Sequence, residues 1–189
     1  MTPSEEKSTS AVVAPDPCHT HVMGTDPPAD REYVVGVDIA GGTGASNSVI
    51  FVGDCLTGDQ VFEYATNTTL PHTLARIAVA ICQWFRCDDG RGAFLIWESS
   101  GPTGGVFGQE VIALGYRNVY YRQSEDDLSA SISTKYGYAT TGPTKEKGLG
   151  NLMQGMISGR LKVRSKAIYT EWRGYTFKNG KVEYSGSRQ

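Results

Sequence analysis

Apolar and polar positions along the chain fall into two rhythms. From Tyr33 the sequence runs Tyr33-Val34-Val35-Gly36-Val37 and stops on Asp38, with a glycine-rich turn, Gly41-Gly42-Thr43-Gly44, close behind. Short Gly/Asp turns separate this run from similar ones, so the pattern predicts strands at 33–39, 47–53 and 60–66, forming an antiparallel meander. The rhythm then changes. Leu74, Ile77, Ala78, Ile81, Cys82 and Phe85 recur at helical spacing behind Pro71, which predicts an amphipathic helix over 71–86. Residues 93–97 are wholly apolar, as in a central strand covered on both faces, and this run ends on Glu98.

A helix from Gly104 to Leu114 and a short strand at Asn118–Tyr121 follow. Lys135–Gly142 reads as a polar and aromatic loop. A helix near 144–158 comes next, with Leu149, Leu152, Met153, Met156 and Ile157 as core positions. Strands are expected at 161–163, 167–177 and 181–184, the last two joined by Asn179-Gly180, a type I′ hairpin signal. The order is βββαβαβ, then a helix and a hairpin. This is the ribonuclease-H-like order, an α/β fold with a mixed sheet flanked by helices.

Residues 1–32 show neither period and read as a tail or linker, leaving 33–189 as the folded domain. Cys18-His19-Thr20-His21 has metal-binding side chains, but no second Cys/His cluster completes a zinc site. Cys82, on the apolar helix face, reads as a small core residue. No run approaches the ~20 apolar residues of a membrane span. The N-terminus lacks a basic-then-apolar leader, so the expected location is the cytoplasm, without a membrane partner.

Charge divides the chain. Residues 1–127 carry seven Lys/Arg and seventeen Asp/Glu, whereas residues 128–189 carry eleven and three. A basic C-terminal third beside an acidic remainder points to a polyanion met on one face.

Asp38 and Glu98 are the candidate catalytic pair. An ionised acid at the end of a buried strand costs desolvation unless a cation, a donor or water compensates it. In the predicted strand order these two ends are neighbours. Two-metal phosphodiester chemistry needs such carboxylates, because hard divalent ions take oxygen ligands and sit about 4 Å apart. Among the other acids, Asp54 and Asp59 flank a turn, Asp88 and Asp89 close a helix into a loop, and Glu125-Asp126-Asp127 reads as solvated surface. Glu171 lies in an apolar, aromatic segment as a salt-bridge partner or supporting group.

Several segments in order resemble one family. Val35-Gly36-Val37-Asp38-Ile39-Ala40-Gly41-Gly42 with Ser48-Val49-Ile50 is similar to the first nuclease motif of the phage terminase large subunit. Trp97-Glu98-Ser99-Ser100-Gly101-Pro102-Thr103-Gly104 resembles its second motif. Gly115–Tyr120, Tyr136–Thr141 with Thr144-Lys145, and Ile168–Glu171 continue the match, which spans about residues 33–184. The resemblance implies a Mg²⁺- or Mn²⁺-dependent endonuclease that cuts concatemeric viral DNA during packaging, with Asp38 and Glu98 as its first two metal acids. It also implies double-stranded DNA as a partner, approached by Lys135, Lys145 and Lys147, with the portal and the small terminase subunit as packaging partners in the bacterial host.

Three departures qualify that likeness. Ser46-Asn47 stands where the family often has an acid. No GxxxxGK[ST] motif occurs, so the packaging ATPase is absent. The family's last metal acid follows the final hairpin, where this sequence has Ser185-Gly186-Ser187-Arg188-Gln189, so a nuclease domain short of its third acid is expected to cut poorly. An actin-like or sugar-kinase ATP site at Gly36–Thr43 would need a second, duplicated domain. A dinucleotide fingerprint would need its turn to open a helix. A non-catalytic module that binds DNA or the packaging complex is the remaining alternative.

Overall fold

The computed structural model describes residues 19–22, 26–123, 132–178 and 181–184. The three expected strands form as β2 (Tyr33–Asp38), β3 (Ser48–Asp54) and β4 (Gln60–Thr66), paired antiparallel in sequence order. β5 (Phe94–Trp97) adds to the free edge of β2 in parallel, with Val35 opposite Leu95 and Val37 opposite Trp97. Helix α1 (Pro71–Trp84) makes the crossover. Beyond β5 the sheet continues as one parallel bridge, Leu95 to Val119, closed by hydrogen bonds from Leu95 N to Asn118 O and from Tyr120 N to Leu95 O, 2.9 Å each. The result is the ribonuclease-H-like mixed sheet expected from the strand order.

The sheet also has a strand that the periodicity did not indicate. β1 (His19–Val22) lies in the stretch read as a tail and pairs antiparallel with the outer edge of β4, giving the order β1-β4-β3-β2-β5. An edge strand offers unpaired N–H and C=O groups to any extended segment, so four residues dock there without a hydrophobic signature.

One face of this sheet carries the core. Val35, Val37, Ile50, Val52, Leu95 and Trp97 are buried with Leu74, Ala78 and Cys82 of α1 and with Phe107 and Val111 of α2 (Gly101–Ala113). Edge-on contacts of Tyr33 with Phe85 (5.0 Å) and tilted contacts of Trp97 with Phe107 (5.6 Å) fill it. Cys82 is inert core, its thiol pushed up to about 12 by burial. Tyr116 reaches under the sheet to donate its hydroxyl to Ala93 O.

The other face is thinner. Helix α3 (Gly142–Ile157) lies over it, yet Gly155 is its one residue described as buried. Leu149, Leu152, Met153 and Met156 are half-buried and Ile157 is 74% exposed, so the expected core positions of this helix form a partial cover instead. Beside Leu152 a cavity of about 460 Å³ remains between Val34 and Phe51 of the sheet and Leu161 and Val163. Phe94 is exposed and Ile96 half-buried, so the all-apolar β5 is fully covered on one side only.

Three further expectations change. The loop expected from Lys135 begins as strand, since β7 (Ile132–Tyr136) pairs antiparallel with β6 (Tyr121–Gln123). The strand expected at 161–163 reduces to a parallel bridge of Lys162 with Asp59. Residues 167–172, expected as strand from Ile168 and Tyr169, form helix α4 (Lys166–Trp172), because the Ser165 hydroxyl accepts the Ile168 N–H at 3.2 Å and caps it. The final hairpin survives as β8 (Tyr175–Lys178) with β9 (Lys181–Tyr184), while Asn179-Gly180 and Glu125-Asp126-Asp127 lie outside the described residues.

Candidate metal centre

The parallel register that sets Val37 opposite Trp97 delivers the next residue of each strand, Asp38 and Glu98, to the same end of the sheet. Glu98 N donates to Val37 O at 3.2 Å, so the pairing persists to the acids themselves. Alternation along a strand then turns both carboxyls away from the core face that Val37 and Trp97 occupy. Asp38 is open to solvent, although protein atoms crowd its carboxyl on one side.

Its electrostatics follow. Burial by the surrounding chain pushes the Asp38 carboxyl above the usual carboxylate range, and the neighbouring Glu98 charge raises it further. The Ile39 N–H opposes this only in part. Among the described residues, no Lys, Arg or His forms an ion pair with either acid. The two like charges thus stand side by side without a basic ion-pair partner among the described residues.

Helix α2 locks the two strand ends. Thr103 in its first turn donates to Ile39 O at 3.4 Å, one residue beyond Asp38. Gly104 packs so closely that a Cβ there would lie 2.4 Å from Glu98 O, so a glycine is what allows the helix to start at this point. Pro102 suits that first turn, where no N–H partner is needed.

A second strap comes from the loop after β7. Glu98 bridges Tyr138 in parallel, with Tyr138 N donating to Trp97 O (2.7 Å) and Ser99 N to Tyr138 O (2.8 Å). Gly137 makes the approach possible: its φ is +79°, and a Cβ would lie 2.5 Å from Ser99 Cβ. Thr140 N donates to Ser100 Oγ at 3.2 Å, and α3 starts immediately after, capped by reciprocal bonds of Thr141 and Thr144.

The basic candidates sit around this junction rather than in it. Lys145 and Lys147 are exposed in the first turns of α3, Lys145 with its Nζ 5.5 Å from the Tyr175 ring centroid. Lys135 is exposed on β7. Ser46-Asn47 remains in the turn before β3, with Asn47 exposed. Glu171 is exposed on α4. Asp54 and Asp59 serve the turn as expected: Asp54 Oδ1 accepts from Leu56 and Thr57, and Asp59 pairs with Lys162 and Arg164.

One site-adjacent residue had no sequence signal. Arg122 on β6 donates from Nη2 to Ser99 Oγ (2.6 Å) and from Nε to Gly137 O (3.2 Å). Its partners are 23 and 15 residues away, so no local motif could announce it.

No family model and no curated protein matches the chain by sequence. Solved structures do match. The large terminase nuclease of thermophilic phage G20c with bound cobalt superimposes with a TM-score of 0.62 at 19% identity, over 87% of this chain and 77% of that one. The same nuclease with bound magnesium gives 0.59 at 18% identity, over 85% and 76%. The large terminase nuclease domain of Thermus phage P74-26 gives 0.58 at 20%, over 88% and 76%. At these identities the likeness is one of fold: the chain has the ribonuclease-H-like architecture of phage large terminase nuclease domains.

Proposed function

We propose that this chain is the divalent-metal-dependent DNA endonuclease domain of a phage DNA-packaging terminase. The observation that carries the reading is the juxtaposed, uncompensated pair Asp38 and Glu98 at adjacent strand ends. The donor set fits a hard cation, since it offers carboxylate oxygens and no nitrogen or sulfur ligand. Among the described residues no group of three or more His, Cys, Asp or Glu gathers to hold a metal; Asp38 and Glu98 would leave coordination positions for water and substrate phosphate.

Asp38 and Glu98 would hold Mg²⁺ or Mn²⁺. When bound, such an ion supplies an activated water and neutralises charge on the phosphodiester. The chain's own contribution is positional. β2 and β5 fix the spacing of the two acids, and α2 holds both strand ends in place through Thr103 and Gly104. Lys135, Lys145 and Lys147 would contact backbone phosphates of double-stranded DNA, orienting the duplex without reading its sequence. The portal and the small terminase subunit are the partners this reading supplies, in the host cytoplasm. No helix among the described residues is long and apolar enough to cross a membrane.

Nicking of supercoiled plasmid in Mn²⁺ or Mg²⁺ tests the proposal. Slow cutting is expected, lowered about 100-fold or more by Asp38→Ala or Glu98→Ala. Cutting that survives both substitutions would refute the site. DNA binding with no cutting under any metal would favour the non-catalytic packaging module, the reading that a two-acid site keeps open.

A further inference from the structure

Arg122 on β6 is hydrogen-bonded to the residue that follows Glu98. It is half-buried, and among the described residues no carboxylate pairs with it. Its two hydrogen bonds among the described residues go to the two chain segments that meet at Glu98. Ser99 belongs to the exit of β5, and Gly137 to the segment that bridges Glu98 through Tyr138. Ser99 Oγ accepts from Arg122 at 2.6 Å and donates onward to Tyr138 O at 2.9 Å, so one guanidinium fork closes a ring of bonds around the junction.

The ring matters because the sheet alone holds this junction by few bonds, which the α2 contacts of Thr103 and Gly104 supplement. β5 ends at Trp97, and its pairing beyond that point is one isolated bridge. Three backbone bonds keep residues 137–138 in place: Gly137 N to Tyr120 O, Tyr138 N to Trp97 O, and Ser99 N to Tyr138 O. Glu98 therefore hangs from a short parallel pairing whose outer side is fastened by Arg122.

We propose that Arg122 is a positioning residue that, through Ser99 and Gly137, holds Glu98 beside Asp38 in the geometry that accepts a divalent cation. The proposal rests on the metal-centre reading above and adds a residue that does not touch the ion. Supporting groups of this kind change metal affinity about 10- to 100-fold when removed.

The test measures Mn²⁺ affinity and amide hydrogen exchange in the wild type, Arg122→Ala, Arg122→Lys, Ser99→Ala and the Arg122→Ala/Ser99→Ala double variant. Arg122→Ala is expected to weaken Mn²⁺ binding about tenfold and to speed exchange at the Ser99 and Tyr138 amides, with exchange in β2 and β3 unchanged. Arg122→Lys recovers part of the affinity, since an ammonium keeps the charge and donors without the fork. The double variant loses no more than Arg122→Ala alone, because both substitutions break one ring. Additive losses, or full Mn²⁺ affinity in Arg122→Ala, would overturn the proposal. A wild type that binds no Mn²⁺ overturns the metal reading instead. The exchange measurement, which needs no metal, then decides whether Arg122 holds the junction, and unchanged exchange at both amides rejects it.

Discussion

The two ends of the β2–β3 ribbon each carry an aspartate, and they treat it in opposite ways. At one end Asp54, opposite Tyr33, has a side chain only 2% exposed. Burial alone would raise its carboxyl, but the Arg31 hydrogen bond, the Thr57 and Leu56 N–H groups and the Arg31 charge outweigh that and hold it below the usual range. At the other end Asp38, opposite Val49, has one backbone N–H, a neighbouring Glu98 and, among the described residues, no basic ion-pair partner, and its carboxyl is raised. Asp54 is a finished structural contact. Asp38 has no such set of partners among the described residues, and on the proposed reading a cation from outside the chain completes it. Compensation, rather than residue type, separates these two acids.

The sharpest way to break this contrast is to remove the finished acid. Asp54→Ala leaves the Arg31 guanidinium and two N–H groups without their acceptor and should cost about 3 kcal/mol in urea unfolding, with Mn²⁺ affinity unchanged. Loss of metal affinity there would mean the two ends are not independent. Gly137→Ala acts at the other end. A left-handed backbone and a Cβ crowded against Ser99 and Trp97 should cost about 2 kcal/mol and weaken Mn²⁺ binding as well. Unaltered stability would show that the loop relaxes easily.

Acid titration separates the two carboxyls by sign. Asp54, held low in the folded state, contributes stability above its unfolded value near ~4, and this is lost as pH falls through its folded value. Unfolding free energies followed from pH 7 to pH 2.5 should therefore fall less steeply in Asp54→Asn than in the wild type. Asp38, held high, contributes the reverse, since folding is opposed once it ionises. Asp38→Asn should then raise stability without metal, though by no more than about 0.5 kcal/mol because the group is exposed. A fall in Tm for that variant would show that Asp38 has a structural partner after all.

Much of this was legible in the chain. The sheet from β2 to β5 follows from period-two runs, a helical stripe and an apolar strand, each signalling its own burial. The acid pair was legible because ionised side chains closing buried strands demand compensation, and strand order made them neighbours. What escaped the pattern depends on partners distant in sequence or on one capping atom. β1 needs only the open edge of β4. α4 forms because Ser165 caps it, against the strand preference of Ile168 and Tyr169. The Leu and Met residues of α3 have helical spacing, but no spacing reports that the sheet face beneath them is incompletely filled. Arg122 belongs with these, its role being set by where Ser99 and Gly137 fold.

The central claim is that Asp38 and Glu98 jointly bind one hard cation. Isothermal calorimetry of Mn²⁺ binding to the wild type, Asp38→Asn and Glu98→Gln tests it most directly. The account predicts saturable binding by the wild type and a loss of about tenfold or more in each variant. Equal binding by all three proteins, or none by the wild type, would contradict it.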